Sequence, residues 1–230
     1  MVMEAGQKRI NRHFACIQEP PARQTVRQGH FNKRDFYYFL ALTVAFKLFL
    51  LSLLSRLALP AAALDYVIDP GHTYASFEID HLGFSTQRGQ FNRTSGQVGF
   101  DLEQRRGHID ITIEAASLDT GLALRDDILR GDAWFNVEAF PNILFRSQHF
   151  IFDQEKLIAV EGSLTLLGET RPMRLEISRF KCGFNLANRK RGCGANAQGV
   201  LRRADFGLQN SIPFISDEVR LRIQVEAYLP

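Results

Sequence analysis

The chain has 230 residues, 45% of them hydrophobic and 23% charged, the balance of a globular protein rather than a disordered one. Nine of its 28 Lys and Arg but only three of its 25 Asp and Glu precede Leu64, so the formal +3 net charge conceals a net of −3 from Leu64 onward. A nucleic-acid partner needs a basic face, and the part that must fold does not supply that excess.

Phe36 to Leu59 is strongly apolar and ends in Pro60-Ala61-Ala62-Ala63. The run is long enough for a transmembrane helix of ~20 residues, but Lys47 and Arg56 would be costly near the bilayer centre. A basic flank, the apolar run Leu48 to Leu54 and the small-residue pattern Ala61-x-Ala63 match a signal peptide better. The expectation is an extension plus signal peptide over 1–63, cleaved near Ala63, and a folded domain over 64–230. Translation from Val44 would give a more compact leader with Lys47 as its basic charge. The alternative is an uncleaved leader that anchors the protein to a membrane.

From Tyr66 onward apolar and polar residues alternate. Ala75, Phe77, Ile79 and His81 share one face, as do Ile109, Ile111, Ile113 and Ala115. Ile158, Val160, Gly162, Leu164 and Leu166 follow, then Met173, Leu175 and Ile177, and finally Val219, Leu221, Ile223, Val225 and Ala227. Each is a strand with one apolar and one solvated face, which favours antiparallel pairing. Polar links at Glu103–Gly107, Asp153–Lys156 and Gly168–Pro172 separate them. About eight such strands predict a closed all-β barrel able to hold one small ligand. Asp119 to Pro141 lacks alternation and predicts a long connection with a short helix that caps one barrel end. Its Arg125, Asp126, Asp127, Arg130 and Asp132 suggest an ion-pair network fixing that cap. Glycines 83, 89, 96 and 162 fit bends and crowded inward positions.

Of three cysteines, Cys16 falls in the leader. Cys182 and Cys193, an even pair flanking a short polar loop, fit a hairpin-closing disulfide in an oxidising compartment.

The ordered set of motifs resembles the YceI-like family of exported bacterial lipid-binding proteins. It begins with Tyr66-Val67-Ile68-Asp69-Pro70 and His72, then Phe77, Ile79, His81, Leu82, Gly83, and Gly89-x-Phe91. Ser117-Leu118-Asp119-Thr120, Arg125-Asp126-Asp127-x-Leu129-Arg130 and Phe140-Pro141-x-Ile143-x-Phe145 follow. Gly162-x-Leu164-Thr165-Leu166-x-Gly168-x-Thr170 and Arg203-Ala204-Asp205-Phe206-Gly207 complete it. The resemblance implies a lipocalin-like barrel holding a polyisoprenoid or isoprenoid-quinone-like lipid in the periplasm or outside the cell. The cysteine pair is similar to that of a family subset with Cys-Gly-Ala-Asp before the Arg-x-Asp-Phe-Gly motif; Asn196 stands here at the acid position.

Inward apolar residues are what any β core requires, so only the resemblance makes lipid ligands of Phe77, Ile79, Val98, Phe100, Ile111, Ile113, Phe145, Leu164, Leu166 and Phe206. His81 shares the face of Phe77 and is assigned to a polar headgroup at the mouth. No ligand spacing suggests a metal, and no Gly-x-Ser-x-Gly elbow or phosphate loop suggests an enzyme. The expected partner is an apolar isoprenoid lipid, with no other cofactor, no nucleic acid and no membrane span after cleavage. The oligomeric state stays open, a homodimer among the options. A structural or stress-response protein without a ligand is the competing reading.

Overall fold

The computed structural model describes residues 33–54, 64–101 and 103–230. The chain divides into two compact units, 1–59 and 60–230. Cys16, Arg56 and the Ala61-x-Ala63 pattern lie outside the described residues.

In the first unit a helix, α1, spans Lys33–Leu54, with its aromatic residues Phe36 to Phe39 exposed. Among the described residues no helix is long and apolar enough to cross a membrane.

The second unit is one antiparallel sheet of eleven strands: β1 Leu64–Ile68, β2 Tyr74–His81, β3 Ser85–Phe91, β4 Thr94–Asp101, β5 Arg106–Glu114, β6 Leu118–Asp119, β7 Asn142–Asp153, β8 Lys156–Leu166, β9 Glu169–Asn185, β10 Lys190–Arg202 and β11 Ile215–Tyr228. Eight of them close a barrel in the order β1-β4-β5-β7-β8-β9-β10-β11. The ring is completed by Val67 opposite Tyr228 and Ile68 opposite Ala227. The remaining edge of β11, Ile215 to Gln224, is taken by β2, which carries β3 and β6 beyond it. The eight-strand closure matches the sequence expectation; the three-strand branch is additional.

Alternation places the inward residues as read, with two local corrections. Leu157 rather than Ile158 is buried, because Ile151 pairs with Ala159 and Phe152 with Leu157, leaving Ile158 as an extra residue in β8. A one-residue bulge reverses the side-chain parity beyond it. Glu169 to Pro172 belongs to β9 rather than to a link, and Pro172 stands opposite Ser163.

The predicted connection holds a helix, α2, at Ala123–Arg130, followed by turns through which Trp134, Phe135 and Val137 pack onto the main core. The expected ion-pair network is only partly formed: Arg130 pairs with Asp127 at 3.1 Å, while buried Asp126 accepts from the Thr120 backbone N–H at 2.8 Å.

Buried Arg203 opens a 3-10 turn at Arg203–Phe206. Its guanidinium donates to the carbonyls of Ser216, Leu208, Asn210 and Ile215 at 2.6–2.9 Å and lies 5.8 Å from the Trp134 ring centroid. One side chain thereby satisfies the Leu208 and Asn210 carbonyls of the preceding connection and those of Ile215 and Ser216 at the irregular start of β11, where unpaired groups would be costly.

Cys182 and Cys193, opposite each other on β9 and β10, form the expected disulfide across 11 residues of sequence. Closing a loop of that size is worth about 3 kcal/mol in the chain-entropy account. The double variant Cys182→Ser/Cys193→Ser is expected to lower Tm by about 10 °C, measured by thermal unfolding under oxidising conditions. An unchanged Tm would mean that the pair adds nothing to stability.

Candidate functional site

The barrel encloses a cavity of about 520 Å3, within the range of small-molecule sites. Inward residues of β2, β5, β7, β8, β9, β10 and β11 line it, because every second residue of these strands points to the same side. Aromatic rings supply much of the wall. Phe100 lies 5.3 Å from both Phe150 and Phe180, and Phe91 lies 5.6 Å from Phe135 and 6.0 Å from Phe77, spacings typical of edge-to-face and tilted pairs. Gly89 makes room for one of them. A Cβ there would sit 2.5 Å from Phe77 Cζ, so any larger residue must push the Phe77 ring aside.

Nine of the eleven residues singled out from the sequence line this cavity: Phe77, Ile79, His81, Val98, Phe100, Ile111, Ile113, Phe145 and Leu164. Leu166 and Phe206 do not. Both are buried in the surrounding core, Leu166 as the last residue of its strand and Phe206 in the 3-10 turn rather than on a strand face. The capping connection adds Ile128, Leu129, Trp134 and Phe135 to the wall. Its lack of period hid them from a reading based on alternation.

Among the described residues no Asp or Glu lines the cavity. Its polar groups include His81, Gln87, Thr120 and Arg125, contributed by the β2–β3 pair and the approach to α2. Arg125 donates from Nε to Thr120 Oγ1 at 2.8 Å, from Nη1 to Gln87 Oε1 at 2.7 Å and from Nη2 to the Thr120 carbonyl at 2.7 Å. These three partners are neutral, and the Thr120 hydroxyl in turn donates to the buried Asp126 carboxylate, so the two charges meet through one hydroxyl. Thr94 Oγ1, in the same lining, is buried with no hydrogen-bond partner. A buried hydroxyl left in that state costs stability unless something satisfies it. Ile128 lines the cavity and is also well exposed, which places the mouth beside α2.

Burial pulls the Arg203 guanidinium below its ordinary pKa, with Asp217 acting against that pull. The Ala204 N–H and the Arg202 guanidinium hold the Asp217 carboxyl below the usual carboxylate value. The histidines are dispersed: His72 pairs with Asp69 at 2.8 Å and His149 with Glu161 at 3.0 Å; His72 holds the Asp69 carboxyl below its usual value, and Arg174 with His149 does the same for Glu161. Among the described residues no three His, Cys, Asp or Glu gather as metal ligands.

A second hollow, of about 600 Å3, borders β9, β10 and the end of β11. It is lined by charged and polar groups such as Arg179, Lys181, Glu226 and Tyr228, and is chemically unlike the first.

A profile of the YceI-like domain matches residues 66–227. The chain belongs to the YceI-like family. The YceI protein of Escherichia coli O157:H7 is 34% identical over 169 residues, 72% of this chain and 87% of that protein. A UPF0312 protein of Enterobacter sp. (strain 638) is 37% identical with the same coverage. Among solved structures, a Campylobacter jejuni YceI protein superposes with a TM-score of 0.56 at 29% identity, covering 65% of this chain and 89% of that one. A polyisoprenoid-binding domain from Saccharophagus degradans superposes with a TM-score of 0.55 over 73% of this chain and 99% of that one. At 17% identity the latter speaks for the shared fold. Within the YceI-like frame, Asn196 is exposed and borders the polar hollow, with no place in the cavity lining.

Proposed function

We propose that the protein is an exported carrier that holds a polyisoprenoid or isoprenoid-quinone-like lipid in its barrel. The observation that carries this reading is the enclosed cavity of about 520 Å3 with carbon-dominated walls and no carboxylate among its described lining residues. Such a space suits an extended hydrocarbon, which gains ~0.8 kcal/mol per buried CH₂. Against an association cost of several kcal/mol, a few isoprene units at about 4 kcal/mol each yield useful affinity. The polar groups fit a lipid with one polar end. Arg125, Gln87 and His81 face its head near the mouth, and the unpartnered Thr94 hydroxyl offers a further hydrogen bond. The name of the Saccharophagus degradans domain supports the same ligand class. Phe77, Ile79, Val98, Phe100, Ile111, Ile113, Phe145 and Leu164 contact the chain, while Leu166 and Phe206 support the wall from behind. The role is binding rather than catalysis.

Export rests on the leader over 1–63 and on the disulfide, which persists in oxidising compartments. Cleavage near Ala63 releases the 64–230 barrel. Protein purified without detergent is expected to yield about one isoprenoid lipid per barrel to an organic solvent, identified by mass spectrometry. Its amino terminus, sequenced from the exported fraction, is expected at residue 64. An extract devoid of lipid, together with no uptake of added polyprenol or quinone, would overturn the carrier reading.

A further inference from the structure

At the end where β11 begins, the barrel carries a collar of uncovered apolar side chains. Phe84, at the tip of the β2–β3 hairpin, is 89% exposed, and Phe214, immediately before β11, is 67% exposed. The two segments are joined, since the Leu82 N–H donates to the Phe214 carbonyl at 2.8 Å. α2 adds Leu124 at 70% exposure and Ile128 at 56%. It is tied to the same end by Arg125 Nη1 on Gln87 at 2.7 Å, two residues from the last hairpin pair, His81 opposite Ser85. Ile128 is the decisive residue. It belongs both to the collar and to the cavity lining, so one apolar side chain links the interior to the outer surface.

Charge differs between the collar and the far hairpin. Beside the collar, Arg88 is paired with Glu78 and Arg130 with Asp127, and the exposed Asp80 carboxylate accepts from the Gly83 N–H at 2.8 Å. The opposite end, roughly 45 Å away along the 14 residues of β11 at ~3.3 Å per residue, carries the β9–β10 hairpin. No acid interrupts the sequence between Glu176 and Asp205, and Arg179, Lys181, Arg189, Lys190 and Arg191 are exposed there. An acidic protein partner would suit that basic end. The collar side chains are apolar and adjoin a hydrocarbon cavity whose mouth carries the Arg125 guanidinium, a pairing that suits a phospholipid surface with acyl chains below anionic headgroup oxygens.

We infer that the collar docks the mouth on a phospholipid membrane with Phe84 and Phe214 among the acyl chains. The isoprenoid then passes between bilayer and cavity without crossing water. The inference rests on the carrier reading, yet its test does not require a loaded barrel. Phe84→Trp and Leu186→Trp in the full chain place a fluorophore at the collar and at the basic hairpin tip, where Leu186 is 85% exposed. With the signal of Trp134 in the parent protein subtracted, each is mixed with phosphatidylcholine vesicles brominated on their acyl chains. Emission from Phe84→Trp is expected to shift to the blue and be quenched; that from Leu186→Trp is not. Because both variants keep residues 1–63, attachment through the leader alone cannot produce the difference.

Phe84→Asp is then expected to slow transfer of a fluorescent polyprenol from vesicles to barrel by roughly tenfold or more, what withdrawing one large apolar side chain from lipid is worth. Quenching at residue 186 instead, at both tips or at neither overturns the docking inference. So does a blue shift at residue 84 without vesicles accompanied by concentration-dependent dimerisation, which would make a second copy the occupant. An empty organic extract with quenching confined to residue 84 would remove the carrier reading and leave the docking surface standing.

Discussion

Ala197→Phe is expected to weaken lipid binding by at least tenfold, and up to roughly a thousandfold, while the barrel stays folded. Ala197 is buried on β10, lines the cavity and stands between Ile177 and Ile223. A phenyl ring there takes up about the space of one isoprene unit, whose burial is worth ~0.8 kcal/mol per carbon, and each 1.4 kcal/mol is about a factor of ten. The lower bound allows for a ligand that slides along the cavity. In a packed core the added ring would cost roughly 1–3 kcal/mol of stability, but here it grows into open volume, so Tm should change little. Val200→Phe is the matching control, because Val200 is exposed on the same strand and absent from the cavity lining. Titration with a fluorescent polyprenol, together with thermal unfolding, separates the readings. If Ala197→Phe binds like the parent while Val200→Phe is impaired, the ligand lies on the outside of the sheet and the interior has no part in binding.

The largest loss of stability is expected at Arg203. Arg203→Ala removes one guanidinium and leaves the carbonyls of Leu208, Asn210, Ile215 and Ser216 without their donor. Buried acceptors stripped of their partners cost about 1–3 kcal/mol each, less where water can enter. A total near 3–5 kcal/mol follows, in line with removal of one partner from a buried charged network. For a domain of this size that corresponds to a Tm lower by roughly 10 °C or more. Arg203→Lys should recover little, since a single ammonium has three donors on one atom and cannot span four carbonyls held by a planar fork. A Tm within a few degrees of the parent for either variant would show that this loop finds its hydrogen bonds elsewhere.

The strands were legible because their chemistry is periodic. Val219 to Ala227 alternates without interruption, and all five of its apolar residues line the cavity. Where the backbone adds a residue, the pattern misleads. Ile158 reads as inward from sequence, yet the bulge in β8 hands that place to Leu157. The side branch of β2, β3 and β6 was not legible either, since pairing along the same edge of β11 is set by tertiary geometry rather than by any residue type.

The cavity follows the same division. Its strand-borne wall could be read from alternation, although period two alone does not distinguish a filled interior from an open one. Arg125 was assigned to an ion-pair network because acids flank it in sequence. In space it reaches Gln87 and Thr120, and it meets the Asp126 carboxylate only through the Thr120 hydroxyl rather than as an ion pair. Thr94 gave no signal at all: a threonine opening a strand is unremarkable in sequence until its hydroxyl is found buried and alone.

The ring is stitched shut by residues 67 and 68 against 228 and 227 and by the Asp69 N–H on the Glu226 carbonyl at 2.9 Å, a short seam between the first and the last strands of the chain. A chain emerging in order therefore has no enclosed interior until its final strand is available. Under the carrier reading, lipid is then not trapped while the chain is being made, and loading waits for a finished polypeptide. The same seam is then the place where the wall should breathe first, and amide exchange along it the earliest report of that opening.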